Sequence, residues 1–267
     1  MNRMNERIKA VITAVMYVAV FYGISMLVQF IYTMWQTSMG NSAAQVRINA
    51  VNNTYALSLV STVITFVVYV AMGKLRDEPL GKMLEREKNP LIITVMAVSL
   101  AIGMRMLVTV YYSLSLNVDF LKKSIDAANE TAPLLKTDMQ VIVTLVSVCI
   151  IAPLFEELLF RGIVMKEFLK IMRPWAAIVL QALIFGISHR VLFQTIFTFI
   201  VGIILGIVYY KTHSIKEAAI CHSVFNISEL FSKYELTLLT GSMLTAMGTV
   251  LTVMSLMYIV LAYKKEN

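Results

Sequence analysis

Residues 141–169 read VIVTLVSVCIIAPLFEELLFRGIVMKEFL. Fifteen residues without a charge, Val141 to Phe155, run directly into Glu156-Glu157, and a helical pattern continues to about Leu169. A membrane helix needs about 20 mostly apolar residues. A soluble core helix has no reason to be apolar on every face. This stretch is therefore expected to cross a bilayer and to carry two carboxylates into it.

The rest of the chain agrees. It has 267 residues, 58% hydrophobic and 15% charged, with a mean hydropathy of +0.76. Soluble domains average about 45–50% apolar and about 25% charged. That excludes a soluble globular enzyme and a disordered chain. With 11 Gly and 5 Pro it is not collagen-like either. Outward from residues 141–169, further apolar runs span Val11–Trp35, Tyr55–Gly73, Leu91–Tyr112, Pro174–His189, Val191–Tyr210, Ile215–Phe231 and Leu244–Tyr263. The first is far longer than the 7–15-residue core of a signal peptide and reads as a retained anchor. Lys74–Pro90 reads as a charged loop, and Asn41–Thr54 and Ser113–Gln140 as polar connections. The expected fold class is all-α: a polytopic membrane bundle of about eight transmembrane helices with an intramembrane active-site cavity. No repeat or Gly/Ser linker divides it. Residues 1–267 form one integral membrane domain, with spans lacking a signature in 1–140, catalytic motifs in 141–231 and a last span in 232–267.

The formal charge of +7 would suggest nucleic-acid binding in a soluble protein. Membrane topology explains it more simply. With the N-terminus inside, 16 Lys and Arg fall on inside segments and 5 on outside loops. This bias expects both termini on the cytoplasmic side of the cell membrane, with membrane lipid and no nucleic acid as partner. Cys149 and Cys221 lie in apolar runs without metal-ligand spacing and read as buried thiols. Tyr111-Tyr112 and Tyr209-Tyr210 fit an interfacial aromatic belt.

A charged group at membrane depth costs at least about 2.5–3.5 kcal/mol, which makes it a candidate for function. Glu157 and Arg161 are four apart, with the acid first, the favourable order for a helical ion pair. Glu156 is rotated about 100° from Glu157 and can face a cavity. A carboxylate there can serve as a general base. His222 and Asn226 share one helix face and can both donate to a developing oxyanion. They could equally be a hydrogen-bonded pair that holds helices together. Taken alone, His189 could be base, ligand or structure. At 1.5 Å per residue, Glu156, His189, His222, Asn226 and Arg105 can meet at a common depth, roughly 10–22 Å from the inner helix ends. Arg105, alone in the third span, could receive a substrate carboxylate or pair with Glu157. Gly202 and Gly206 form a small-xxx-small pattern, which points to close helix packing.

Glu-Glu-x-x-x-Arg, then Phe-x-x-x-His, then His-x-x-x-Asn, in that order on membrane helices, resembles the CAAX-protease and bacteriocin-processing enzyme family of intramembrane glutamic endopeptidases. The likeness covers about Val141 to Phe231. It includes Ala152-Pro153 before the acidic pair, Phe160-Arg161-Gly162 around its end, and Gly202 and Gly206. It implies a peptidase without metal or other cofactor, acting on a peptide or protein substrate, lipidated or not. By the same likeness, Glu156 and His189 would activate a water. His222 and Asn226 would stabilise the oxyanion, and Glu157 and Arg161 would shape the site. Three other readings compete. A zinc protease would use Glu and His ligands but lacks H-E-x-x-H. A non-catalytic immunity or scaffold protein would bind a peptide or membrane partner without cleaving it. A proton-coupled transporter would want repeats that this chain lacks.

Overall fold

The computed structural model describes residues 3–73, 90–130, 132–133, 137–235 and 240–263. Among them there is no strand. Ten helices follow in chain order: α1 (Arg3–Ser38), α2 (Ala43–Asn52), α3 (Thr54–Ala71), α4 (Pro90–Ser115), α5 (Asp119–Glu130), α6 (Asp138–Leu169), α7 (Pro174–Ser188), α8 (Leu192–Thr212), α9 (Ile215–Glu235) and α10 (Gly241–Ala262). The protein is a polytopic helical membrane bundle. Six helices (α1, α3, α4, α6, α8 and α10) are long and apolar enough to cross a membrane. The lipid-facing character is plain in α1, whose most apolar 18-residue window is only 11% buried inside the protein. Lipid is the solvent for those side chains.

The eight expected spans correspond to eight of these helices, but two are not ordinary spans. The apolar helix α7 has 15 residues, about 22 Å, against a hydrocarbon core of about 30 Å. A helix of that length is too short to cross, and α7 stops at Ser188, one residue before His189. Helix α9 is long enough, but Lys216, Glu217, His222, Asn226 and Glu229 interrupt its apolar character. The polar connection expected over Ser113–Gln140 contains a helix, α5. Leu121 and Ile125 are buried on one face, while Lys122, Lys123 and Asp126 are exposed. Average polarity hid a 3.6-residue period. Ser124 Oγ then accepts from the backbone N–H of Phe193, at 3.1 Å, docking α5 on the start of α8. The connection Asn41–Thr54 likewise holds α2, capped by Ser42. Lys74, Arg76, Lys82, Arg86, Lys88, Lys136, Lys264 and Lys265, which carry much of the expected charge bias, lie outside the described residues.

Two apolar clusters organise the bundle. One surrounds α6: Phe155, Leu159, Phe160, Ile163 and Met165 pack with Tyr17 of α1, Tyr69 of α3 and Phe185 of α7. Tyr69 stacks on Phe155 and donates to the carbonyl of Tyr17, which ties α1 and α3 to α6 one residue before Glu156. The other cluster joins α4 to α8, α9 and α10 through Leu100, Met104, Leu205, Phe225 and Ile259. There Gly103 and Gly248 let α4 and α10 approach closely. A Cβ at Gly103 would lie 2.7 Å from Thr252 Oγ1. Helices α8 and α9 belong to both clusters, and the polar residues collect where α6, α7, α8 and α9 meet.

Candidate active site

Helix α6 is not regular. Ser147–Ile151 and Leu158–Met165 are wound as π-helix, and the α-helical Ala152–Glu157 lies between them. Such widened turns are rare and concentrate at functional sites. The first has a local cause. The N–H of Ala152 reaches back five residues to the carbonyl of Ser147. The next bond in that register would run from residue 153 to Val148, but residue 153 is proline and has no N–H. The carbonyl of Val148 is left over. Asn226 Nδ2 donates to it at 2.8 Å. Unmet, such a carbonyl would cost about 1–3 kcal/mol. The Ala-Pro before the acidic pair and the Asn on α9 are thus two halves of one contact.

The two glutamates face different surroundings. Glu157 and Arg161 are both fully buried and joined at 2.6 Å, Arg161 Nη1 to Glu157 Oε1. The same oxygen accepts from His222 Nδ1 at 2.9 Å. An ionised carboxylate only accepts, so Nδ1 carries the proton and Nε2 is free to point elsewhere. It points toward Glu156: Nε2 and Glu156 Oε2 are 3.9 Å apart. That is too long for a direct hydrogen bond. It leaves the two groups able to hold different oxygens of one reacting centre. Glu156 is 25% exposed and can be reached, whereas Glu157 cannot.

Arg161 has further partners. Its Nη2 donates to the carbonyl of Gly202 on α8 at 3.0 Å, and its guanidinium lies 4.7 Å from the ring centre of Phe185. The Phe185 ring also meets His189 edge-on at 4.9 Å and His222 at 5.7 Å. One phenyl group therefore contacts both imidazoles and the arginine. His189 follows the last turn of α7. Its Nδ1 lies 2.9 Å from the carbonyl of Phe185, which can only accept, so Nδ1 donates and Nε2 is available as an acceptor. Behind it the chain reverses through Arg190, in the left-handed region at φ 61°. The reversal is tight because α7 and α8 touch there. A Cβ at Gly186 would lie 2.8 Å from the carbonyl of Thr195.

The three motifs thus meet on α6, α7 and α9, with Gly202 of α8 beneath them. Residues 138–228 match the family model described as type II CAAX prenyl endopeptidase Rce1-like. The match covers about a third of the chain and takes in all three motifs. Its boundaries run from the first residue of α6 to the end of the His222–Asn226 face of α9. No curated protein and no solved structure matches the chain. The likeness of this segment is thus to a family of endopeptidases.

Outside the matched segment, Arg105 on α4 does not pair with Glu157, whose one engaged oxygen already serves Arg161 and His222. Arg105 Nη1 instead meets Glu229 Oε2 on α9, at 3.2 Å. Glu229 is seven residues beyond His222 and on the same helical face, a spacing that the sequence offered. Gln181 is the other residue that reading the motifs overlooks. It is fully buried and donates to the carbonyl of Gly202 beside Arg161. Its signal was a lone amide in an apolar helix, four and eight residues before Phe185 and His189. Cys149 and Cys221 are buried and free. Among the described residues, no three His, Cys, Asp or Glu side chains are grouped to hold a metal ion. A cavity of about 180 Å³ lies elsewhere, between α2, α3 and the start of α6, lined by amides and apolar groups such as Asn53, Gln140 and Val143. It contains none of the acid–base groups, so the chemistry is assigned to the Glu156 cluster.

Proposed function

We propose that the chain is an intramembrane endopeptidase that hydrolyses a peptide bond with a water activated by Glu156, without a metal. The observation that supports this most is the split between adjacent glutamates. Glu157 is consumed by Arg161 and His222, while Glu156 is reachable and faces His222 Nε2. In this reading Glu156 takes a proton from the water as its oxygen attacks the scissile carbonyl carbon. His189, through its free Nε2, shares or relays that proton. His222 in its protonated form donates Nδ1–H to Glu157 and Nε2–H to the carbonyl oxygen as negative charge develops there. A fixed donor aimed at that charge is worth about 2.7–4 kcal/mol in enzymes of this general kind. Asn226 spends one N–H on Val148 and has the second for the oxyanion. The proton held by Glu156 then passes to the departing amine. Arg105, whose charge Glu229 balances, holds α4 against α9 and is not assigned a reacting group. The substrate class that fits is a peptide or protein segment brought to the membrane, with lipidated CAAX-type peptides first among them.

The test is direct. The protein is purified in detergent, as wild type and as Glu156→Gln, and incubated with matched farnesylated and unlipidated peptides ending in a CAAX sequence, with and without a strong chelator. Mass spectrometry reads the products. The proposal expects cleavage by the wild type only, unchanged by chelator. Cleavage that persists in Glu156→Gln, or that chelator abolishes, contradicts it.

A further inference from the structure

We infer that Gln181, on α7, is a positioning residue of this site: with the glycines of α8 it fixes Arg161, and through Arg161 and Glu157 the imidazole of His222. The significance for catalysis rests on the proposed peptidase reading, but the linkage itself is structural. Gln181 is fully buried, and its Nε2 donates to two carbonyls, Ile178 at 3.0 Å and Gly202 at 2.9 Å. Two acceptors on one side fix the orientation of the amide, since the flipped form would set its oxygen against both. The carbonyl of Gly202 also takes Arg161 Nη2, at 3.0 Å. Two side-chain donors from different helices thus share one backbone oxygen inside α8.

That sharing is possible because of glycine. A helical carbonyl points toward the residue four ahead, here Gly206. A Cβ at Gly206 would sit 2.8 Å from Gln181 Nε2, and one at Gly202 would sit 3.0 Å from the Phe185 ring. The spacing of four between these glycines therefore does more than let two helices pack. It opens the carbonyl of residue 202 to a clamp made of Gln181 on one side and Arg161 on the other. From Arg161 the chain of contacts runs at 2.6 Å to Glu157 Oε1 and at 2.9 Å from there to His222 Nδ1. Removal of Gln181 frees one side of the acceptor and gives the guanidinium a second place to sit. The imidazole at the far end then loses its single orientation.

The test reads the imidazole and needs no substrate. The full chain in detergent is treated with diethylpyrocarbonate, and the modification rates of the three histidines, His189, His213 and His222, are followed separately by mass spectrometry. Two variants are used: Gln181→Met, which keeps the volume and removes both donors, and Gly206→Ala, which keeps the amide and displaces it. Loss of one hydrogen bond predicts modification of His222 about three- to tenfold faster in each, with His189 and His213 within twofold of wild type. An unchanged His222 rate in Gln181→Met overturns the inference. So does a parallel rise at all three histidines, which would mean that Gln181 only holds the fold together. A failure of Glu156-dependent cleavage would leave this result standing, so the two claims fail separately.

Discussion

Arg161 and Arg105 are both arginines paired with glutamates inside a membrane bundle, yet the two regions are built differently. Arg161 meets a glutamate one turn away on its own helix, and neither side chain has any exposed surface. It is held again by a backbone carbonyl and by an aromatic ring. Arg105 reaches across from α4 to α9, to a Glu229 whose side chain is 56% exposed. The first pair serves as a fixed point from which an imidazole is oriented. The second is a tie between helices whose acid end solvent can reach, while Arg105 itself is 14% exposed. Burial separates them, whereas the charges and the contact type are the same.

That contrast is broken most strongly at Arg161. Arg161→Met should strand the buried Glu157 and lower stability by about 3–5 kcal/mol, seen as a large fall in the thermal midpoint in detergent. The double change Arg161→Met with Glu157→Leu should recover part of that loss, because a buried pair removed together leaves no orphan charge. A double variant no more stable than Arg161→Met would mean that Glu157 is not the partner that matters.

A smaller effect is expected at Asn226. Asn226→Leu leaves the carbonyl of Val148 unmet, at a cost of about 1–3 kcal/mol. Adding Pro153→Ala restores a backbone N–H that can take over this carbonyl, so the double variant should melt closer to wild type than Asn226→Leu alone. Independent, additive losses would refute the account of the π-helical turn given above.

The smallest effect belongs to the other arginine. Arg105→Gln should cost less stability than Arg161→Met, because the Glu229 it leaves behind is 56% exposed and stays solvated, and should leave peptide cleavage within a few-fold of wild type. A loss as large as that at Arg161 would erase the distinction between the two regions.

The contrast also explains what could be read from the chain in advance. The long spans were legible because lipid demands about 20 apolar residues in a row, and α1, α4 and α10 supply little else. Glu156, Glu157, Arg161, His189, His222 and Asn226 were legible as polar groups within or beside apolar runs. Their partners were not. That His222 binds Glu157, and that Asn226 binds Val148, depends on how far α6 is unwound around Pro153 and on how α9 is rotated against it. Neither follows from spacing on a single helix. Arg105 was expected to receive a substrate carboxylate or to pair with Glu157, and its contact with Glu229 was missed for the same reason. Helix α5 was lost in a polar average although Leu121 and Ile125 were in step. Gln181 had only its isolation to mark it.

The central claim is a division of labour between two adjacent carboxylates, and one paired experiment tests it most directly. Glu156→Gln and Glu157→Gln are purified side by side, and each is measured for thermal stability and for cleavage of the peptide that wild type cuts. The account predicts that Glu156→Gln melts within about 1 kcal/mol of wild type while its rate falls about 10²–10⁴-fold, the range of a lost general base. It predicts that Glu157→Gln melts far lower, as Arg161 loses its counter-charge. Equal destabilisation by both variants, or a Glu156→Gln that still cleaves at the wild-type rate, would contradict it.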